Sequence, residues 1–224
     1  MSNFTLVIPA KEESNSLPLV LDEIIKNYDL KLEIIVVVGK EDLTTINAIN
    51  KYNCEVLIQS GKGYGNAIRE GIKKVKTKYL AIFYADGSTD PKFLMPMLDK
   101  IINKDNSIIF GSRYEKNAMS YDDDIVTKIG NFIFTKIGNI FFSLKLTDLL
   151  FTYIVAEKDI MDKLNLKKDD YCLCVEIPIN AKKLLINYTT HPCIERKRIA
   201  DKKKVKAFKD GLKILTYLFK RFLY

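Results

Sequence analysis

The sequence predicts an α/β fold in which a mostly parallel sheet is flanked by helices. Short apolar runs typical of strands alternate with segments whose apolar residues recur at helical spacing, which is the pattern of a doubly wound sheet. The runs at 33–38 and 79–84 are almost continuously apolar, as expected for strands that are covered on both faces. With 224 residues, of which 47% are hydrophobic, the chain is long enough for one substantial core.

The individual elements follow from local patterns along the chain. A β-branched run ends at Pro9, a glycine-rich turn occupies 61–65, and Pro91 precedes a helical pattern. The predicted strands are 4–8, 33–38, 55–59, 79–84, 107–110 and, further along, 172–176. The predicted helices are 16–28, 45–52, 93–102 and a helix from the glycine turn through residue 76.

Two later stretches, 125–146 and 205–224, combine large apolar side chains with lysines, as helices at a membrane interface do. Packing in the core explains the first stretch equally well, since apolar residues at helical spacing usually face the core. For the second we favour the membrane. We therefore expect a main domain over residues 1–204 and a basic amphipathic helix over 205–224, packed on that domain or on a membrane.

The ends and composition of the chain predict where it works. Its start lacks the basic and apolar segments of a signal peptide, and no apolar run approaches the roughly 20 residues of a membrane-spanning helix. We expect a cytoplasmic protein, soluble or peripheral at the inner membrane face. The formal net charge of +8 suits phosphates or anionic lipid, whereas no aromatic or helical pattern supports nucleic-acid binding. Oligomeric state is left open.

The four cysteines do not predict a metal site or a disulfide. Cys172, Cys174 and Cys193, with His191, lack the usual spacing of zinc ligands. Reduced, buried cysteines are the ordinary case in the cytoplasm. We therefore expect free thiols.

The segment 84–91, Tyr-Ala-Asp-Gly-Ser-Thr-Asp-Pro, follows a buried strand and carries the sharpest chemical signal. An acid such as Asp86 at the carboxyl end of a strand suits Mg²⁺ or Mn²⁺, which bind a carboxylate together with phosphate oxygens. Ser88 could add an oxygen ligand. The same segment also suits the start of a helix, with Asp90 near its cap.

Seven segments in order resemble family 2 glycosyltransferases, most closely dolichol-phosphate mannose and glucose synthases. Residues 7–13 (VIPAKEE) resemble the V-I-P-x-x-N-E opening, 61–67 (GKGYGNA) resemble G-x-G-x-A, and 84–86 (YAD) occupy the D-x-D place. Residues 111–114 (GSRY) match G-S-R-Y, and Thr147-Asp148 looks like the S/T-D segment. Glu176 lies where E-I/L-x-I-x-A is expected, and 198–204 (RIADKKK) resemble R-x-x-G-x-S-K. The resemblance spans about residues 4–212.

This resemblance implies a GT-A fold with a Rossmann-like nucleotide-binding sheet, and transfer of a sugar from a GDP- or UDP-sugar. The implied donor-binding residues are Pro9, Ala10, Lys11, Glu13, Val38, Gly61, Lys62, Gly63, Ala85 and Asp86. The implied catalytic residues are Asp86, Arg113, Asp148 and Glu176, with Mg²⁺ or Mn²⁺ at Asp86 and Ser88. The phosphate or acceptor contacts are Arg113, Asp123, Asp124, Arg196, Arg198 and Lys204. Ordinary alternatives are an N-cap for the aspartates at 122–124 and a solvated basic face for the late cations.

Two departures from the family pattern bear on chemistry. Val38 and Gly39 stand where an acidic pair usually contacts the base, and Tyr84 replaces the first acid of D-x-D. A lipid monophosphate acceptor needs only cationic positioning, whereas a sugar hydroxyl needs a general base. We therefore expect a polyprenyl phosphate acceptor. A soluble transferase acting on a sugar hydroxyl, and a catalytically silent lipid- or nucleotide-binding homologue, are the alternatives.

Overall fold

A computed structural model describes residues 3–28, 32–104, 106–200, 205 and 207–223. Its centre is a seven-stranded sheet of order β3-β2-β1-β4-β7-β5-β8. A separate pair, β6 and β9, lies beside it. The strands are β1 Phe4–Ala10, β2 Glu33–Gly39, β3 Glu55–Gln59, β4 Tyr79–Ile82, β5 Ile108–Ser112, β6 Met119–Ser120, β7 Ile154–Glu157, β8 Tyr188–Pro192 and β9 Ile194–Glu195.

Helices cover both faces of this sheet. They are α1 Leu17–Tyr28, α2 Leu43–Ala48, α3 Tyr64–Lys74, α4 Leu94–Lys104, α5 Ile125–Phe142, α6 Lys158–Lys163, α7 Leu173–Lys183 and α8 Ala207–Leu223, with a short 3₁₀ turn at Pro91–Phe93. Alternate residues of each central strand enter opposite cores. Leu6 and Ile8 of β1 pack with α1 and α4, whereas Val7 between them packs with α3 and α7. The continuous apolar runs are therefore explained by burial on both faces.

The expected mostly parallel sheet is confirmed, with one inserted antiparallel strand. β1, β2, β3 and β4 are parallel neighbours, and β8 runs parallel to β5. β7 lies between β4 and β5 and is antiparallel to both. Strand pairing carries the carboxyl ends of the parallel strands to one edge, where ligands bind in such sheets.

The predicted strand at 172–176 is wrong, because these residues belong to the start of α7. The helix is buried on nearly all sides over its first turns, so that part of its sequence is mostly apolar and lacks the periodicity of a half-exposed helix. Pro178 inside the helix removes a backbone donor and obscured the helical pattern further. Short apolar runs of this kind do not distinguish a buried helix from a buried strand.

Helix α5 has an unusual distribution of side chains. Its fully buried positions are the small or polar residues Asn131, Thr135 and Gly138. The Asn131 and Thr135 side chains accept hydrogen bonds from the backbone N–H groups of Leu150 and Leu149. Large apolar side chains of the same helix lie exposed, and these are Ile125, Val126, Ile129, Phe132, Ile133, Ile140 and Phe141. The polar face thus serves the 146–150 loop, while much of the apolar face meets solvent.

Helix α8 packs beside α5 and presents a second exposed apolar face. Ile214, Tyr217 and Leu218 are buried against the body of the protein. An apolar stripe along the other side of α8 is exposed along its length, and it consists of Phe208, Leu212, Leu215, Phe219 and Phe222. The Phe222 ring contacts that of Phe141 on α5, with centroids 4.8 Å apart, so the two exposed faces join. Among the described residues, no helix combines the length and apolar character required to cross a bilayer.

Candidate active site

All positions expected to bind the donor lie at the carboxyl edge of the sheet. They fall at or after the ends of β1, β2, β3 and β4, four parallel neighbours. Pairing of these strands brings segments that are far apart in sequence to one place. The positions are Pro9, Ala10, Lys11, Glu13, Val38, Gly61, Lys62, Gly63, Ala85 and Asp86.

The loop after β1 is held by residues that follow β2. The Asp42 carboxylate accepts the N–H of Glu12 at 2.5 Å, and Thr45 Oγ1 accepts the N–H of Glu13 at 2.9 Å. Asp42 also caps α2. Partial burial alone would raise the pKa of Asp42, but these hydrogen bonds lower it overall. Asp42 therefore anchors the loop that follows β1. Val38, which stands at the place of the family's acidic pair, is fully buried.

The glycine turn packs closely against the 167–170 loop. A Cβ on Gly65 would lie 2.5 Å from the carbonyl oxygen of Lys168 and 2.6 Å from that of Asp170. The Asn66 N–H donates to the Asp169 carbonyl at 3.1 Å. Close approach of two backbone segments thus accounts for a glycine at position 65, and Lys62 stays exposed beside it. A diphosphate role for the turn stays a prediction.

Glu176, expected to be catalytic, supports that same loop. Its side chain is 4% exposed and accepts the backbone N–H groups of Lys167 and Lys168 at 2.9–3.1 Å. A carboxylate occupied in this way holds the loop against the glycine turn. Its position gives it no open path to an acceptor hydroxyl.

Asp86 projects from the turn that follows β4 and is held on both oxygens. Oδ1 accepts the N–H of Ser88 at 2.9 Å and its hydroxyl at 2.7 Å. Oδ2 lies 3.3 Å from Nη1 of Arg198. The turn continues to Asp90, which caps the Pro91–Phe93 turn as the sequence also suggested.

The residues around Asp86 fit a hard divalent cation that takes most of its ligands from a donor diphosphate. The available protein ligands are oxygens, namely the Asp86 carboxylate and the Ser88 hydroxyl. Within the described residues, no group of three acidic, histidine or cysteine side chains could hold a metal by itself. Mg²⁺ and Mn²⁺ are commonly bound by one or two carboxylates plus phosphate oxygens and water. The donor set therefore suits these ions.

Tyr84, at the first acid's place in D-x-D, points into the protein. Its hydroxyl accepts the N–H of Thr152 at 2.9 Å and lies 3.0 Å from Thr152 Oγ1. The Tyr64 hydroxyl of α3 bonds the same Oγ1 at 2.6 Å. Burial raises the pKa of Tyr84 far above its usual value, so the hydroxyl stays neutral. Tyr84 thus links the Asp86 turn to the start of α3.

Arg113 is buried among three carboxylates. Its Nε lies 2.7 Å from Asp148, and Nη1 lies 3.0 Å from Asp123 and 3.2 Å from Glu195. Burial alone would lower the pKa of Arg113, but these ion pairs raise it well above its ordinary value. Burial raises the pKa of Glu195, against the effect of Arg113. Arg113 is therefore committed to internal pairs rather than to a phosphate in the open site.

Asp148, expected to be catalytic, is the main partner of Arg113 and is fully buried. Its two oxygens accept Nε, Nη2 and the backbone N–H of Arg113, together with Nδ2 of Asn131 at 2.8 Å. This arrangement ties the end of β5 to α5. It leaves the carboxylate facing donors rather than the site.

The three consecutive aspartates before α5 have three different partners. Asp122 binds Arg198 through both oxygens at 3.2 and 2.8 Å. Asp123 pairs with Arg113 and accepts the Tyr114 hydroxyl. Asp124 accepts the Thr127 N–H at 2.7 Å, so the N-cap interpretation is confirmed for this residue.

The basic residues expected to contact phosphate near the end of the chain, Arg196, Arg198 and Lys204, also have different surroundings. Arg196 makes a bidentate pair with Glu23 of α1 and also donates to the Thr89 carbonyl. Arg198 pairs with Asp86 and Asp122, and its contact with a phosphate stays a prediction. Lys204 lies outside the described residues.

An open cleft of about 350 Å³ lies beside the buried ion pairs of Arg113. It is lined by residues 113–115 and 118–120 and by Lys128 from the second turn of α5. Lys128 brings a positive charge to the cleft. The exposed apolar face of α5 begins next to it at Ile125, Val126 and Ile129.

A family model described as glycosyl transferase family 2 matches residues 5–164, well over half of the chain. The chain belongs to glycosyl transferase family 2. An uncharacterized glycosyltransferase of Mycobacterium tuberculosis is 30% identical over 109 residues, covering 49% of this chain and 48% of that protein. A dolichyl-phosphate beta-glucosyltransferase of Dictyostelium discoideum is 30% identical over 143 residues, covering 55% of this chain and 42% of that protein. The matches thus span less than half of these family 2 relatives.

Solved structures share the fold at low identity, and the expected GT-A fold is confirmed. Glucosyl-3-phosphoglycerate synthase from M. tuberculosis, in complex with Mn²⁺, UDP and phosphoglyceric acid, has a TM-score of 0.77 at 15% identity, over 99% of this chain and 78% of that one. Mannosyl-3-phosphoglycerate synthase from Rubrobacter xylanophilus has a TM-score of 0.75 at 15% identity, over 98% and 73%.

No motif pointed to Glu195, although its carboxylate completes the ion pairs of Arg113 in this family 2 protein. Residues 113 and 195 meet because β6 pairs with β9, and β8 with β5. Ser120 of β6 donates to the same Glu195 carboxylate. Thr152, whose hydroxyl is hydrogen-bonded with those of Tyr64 and Tyr84, was also missed, because its partners come from distant segments. The GSRY and Thr-Asp segments located Arg113 and Asp148, but they implied catalysis and phosphate binding instead of an ion pair between the two residues.

Proposed function

We propose that this family 2 chain transfers a sugar from a nucleoside diphosphate donor to the phosphate of a polyprenyl phosphate at a membrane surface. The observation that carries the proposal is α5, whose small and polar residues face the protein while most of its large apolar residues face outward. Such a distribution suits an apolar environment outside the protein. The helix begins at the cleft that Lys128 lines, so an acceptor phosphate and an apolar chain would find adjoining surfaces.

The donor half of the proposal rests on Asp86, Ser88 and Arg198. Asp86 and Ser88 would hold Mg²⁺ or Mn²⁺, and Arg198 would bind a phosphate oxygen of the donor. A bound cation would neutralise charge on the leaving diphosphate. The structural neighbour crystallised with Mn²⁺ and UDP supports UDP as the first nucleotide to test.

The acceptor half rests on the state of the candidate bases, which are Asp148, Glu176 and the aspartates at 122–124. The three aspartates pair with Arg198, pair with Arg113 and cap α5, in that order. Asp148 and Glu176 are both buried, with their oxygens occupied by hydrogen bonds. A sugar hydroxyl would need such a base, whereas a phosphate monoester is already anionic near neutral pH. In the proposed step, an acceptor phosphate oxygen forms a bond to the anomeric carbon. The bond from that carbon to the diphosphate breaks, and its electron pair leaves with the nucleoside diphosphate.

The proposed membrane contact uses α5 and α8 together. Their exposed apolar residues are flanked by lysines, including Lys128 and Lys136 on α5 and Lys209 and Lys220 on α8. Each basic side chain near an anionic leaflet adds roughly 1 kcal/mol of attraction. We propose peripheral binding at the inner membrane face, with the 205–224 segment as an appended docking helix.

Transfer is tested with purified protein, Mn²⁺, a panel of UDP- and GDP-sugars, and polyprenyl phosphate in detergent. We expect a lipid-linked sugar from at least one donor, and loss of product with Asp86→Asn or excess chelator. The mutant should melt like the wild type, because Asp86 lies at the end of a strand, outside the core. Full activity of the mutant would refute the metal assignment.

Docking is tested by flotation with liposomes that contain anionic lipid. Truncation near 205 would remove the buried Ile214, Tyr217 and Leu218, so point variants are the cleaner choice. Phe208→Ser with Phe219→Ser should abolish flotation and leave the melting temperature unchanged. Wild type should float at low salt and detach partly at high salt, since salt screens the charge contribution. A wild type that does not float but forms a dimer would identify the apolar face as a contact between two copies.

A small phosphorylated acceptor is the second candidate. It is favoured by the structural neighbour crystallised with phosphoglyceric acid. A short, water-soluble prenyl phosphate and phosphoglyceric acid should be compared under identical conditions without membranes. Turnover of phosphoglyceric acid alone would select the soluble transferase and reject the lipid acceptor.

A further inference from the structure

The ion pair between Arg198 and Asp86 puts a protein cation at the proposed metal ligand. Arg198 Nη1 lies 3.3 Å from Asp86 Oδ2, and the two side chains are 21% and 15% exposed. The other Asp86 oxygen is held by Ser88. A divalent ion can therefore reach Oδ2 only if the guanidinium moves away.

The guanidinium has a second partner that allows such a movement. Nε and Nη2 of Arg198 bind the two oxygens of Asp122 at 3.2 and 2.8 Å. Nη1 is the nitrogen directed at Asp86. Arg198 can thus keep its bidentate pair with Asp122 while Nη1 changes partner.

The backbone around Arg198 is fixed to the Asp86 turn. The Ile199 N–H donates to the Asp86 carbonyl at 2.9 Å, and the Arg196 N–H donates to the Ser88 carbonyl at 2.8 Å. Gly87, with a φ of 79°, brings the turn against the Ile199 side chain, where a Cβ would clash. Exchange at Asp86 is therefore a side-chain movement over a fixed backbone.

We propose that Arg198 occupies the cation position at Asp86 in the free protein and passes to a donor phosphate oxygen when metal and nucleotide bind together. This inference rests on the proposed function, since it assumes a divalent ion and a nucleoside diphosphate. Metal alone must displace Arg198 and leaves Nη1 without an anion. Metal with a diphosphate supplies that anion, so the two ligands bind cooperatively and neither binds well alone.

The test compares Mn²⁺ binding with and without UDP in three proteins, by electron paramagnetic resonance of free Mn²⁺ and by calorimetry. Arg198→Gln should bind Mn²⁺ alone roughly threefold or more tightly than wild type, because the competing cation is gone. The same variant should bind UDP in saturating Mn²⁺ roughly tenfold or more weakly, because a charge-assisted bond to phosphate is lost. Lys197→Gln removes the same charge from the neighbouring, exposed position and should change neither affinity by more than about twofold.

A further variant, Asp122→Asn, should change the affinity for Mn²⁺ alone in the direction opposite to Arg198→Gln. Asp122→Asn removes the charge that holds Arg198 when Nη1 leaves Asp86, so the guanidinium should stay with Asp86 and Mn²⁺ alone should bind more weakly than to wild type. It also provides a test if Arg198→Gln fails to fold, as judged by circular dichroism. Unchanged or weaker binding of Mn²⁺ alone by folded Arg198→Gln would overturn the inference. A wild type that binds neither UDP nor GDP, with or without Mn²⁺, would overturn the proposed donor and the inference with it.

Discussion

Asparagine at position 148 tests whether the buried carboxylate supports the fold or performs chemistry. In the wild type, one oxygen accepts Nε and the backbone N–H of Arg113, and the other accepts Nη2 and the amide of Asn131. In Asp148→Asn one oxygen becomes an NH₂ group, which faces two donors whichever way the amide is turned. At least two hydrogen bonds are lost, together with the charge paired with Arg113.

The size of the effect follows from this geometry. Removing one partner of a buried ion pair costs about 3–5 kcal/mol. Asp123 and Glu195 still pair with Arg113, so we expect the lower end, about 3 kcal/mol. For a protein of this size the melting temperature should fall by roughly 6–12 °C. Thermal denaturation followed by circular dichroism measures this directly.

A matched control uses the same substitution in an exposed pair. Asp162→Asn breaks the Lys158–Asp162 pair on α6 and should cost less than about 0.5 kcal/mol. Well below its melting temperature, Asp148→Asn should keep transfer within about tenfold of wild type if Asp148 only supports the fold. Loss of a general base would instead lower transfer roughly 10²–10⁴-fold. A melting temperature within about 2 °C of wild type with transfer abolished would refute this reasoning and restore Asp148 as a catalytic base.

Four other substitutions have expected outcomes. Gly65→Ala places a Cβ against two carbonyl oxygens and should lower the free energy of unfolding by about 1–3 kcal/mol in urea titrations. Asp42→Ala removes a carboxylate with a lowered pKa, whose stabilisation is present above its unfolded pKa and is lost as the pH falls through the folded value. The variant should therefore cost about 1 kcal/mol at pH 7 and much less below about pH 3. Leu218→Ala should cost about 2–5 kcal/mol, whereas Phe208→Ala, 88% exposed in wild type, should cost less than about 0.5 kcal/mol. Equal losses for these two would contradict the orientation of α8.

The first half of the fold could be predicted because its strands carry their signal locally. The runs around Val36 and Leu80 are apolar on both faces, and each is followed by turn residues and a helical pattern. The antiparallel strand β7 is not part of such a strand–turn–helix pattern. It enters the sheet between β4 and β5, which come earlier in the sequence. Pro178 and burial on all sides concealed α7. Local patterning succeeds where a buried strand is followed by turn residues and a helical pattern, and it fails where a buried element lacks such neighbours.

The site shows the same division. The positions of Asp86 and the residues after β1 and β2 follow from strand order alone. What the side chains do there depends on partners that come from distant segments, such as Glu195 for Arg113 and Asp122 for Arg198. Asp148 and Glu176 look like catalytic acids in the sequence. The folded chain shows that their oxygens already accept hydrogen bonds.

The position of β7 also has a consequence for how the chain is made. The strands of the first 82 residues form one block, β3-β2-β1-β4, whose last strand must wait for residues 154–157 to cover its open side. During synthesis on the ribosome, β4 therefore remains an uncovered edge of Leu80, Ala81 and Ile82 while β5 and α5 emerge. An uncovered apolar edge is a place where nascent chains pair with one another. Interruption of synthesis between β5 and β7 should therefore leave a fragment that requires a chaperone, because β4 still lacks its partner.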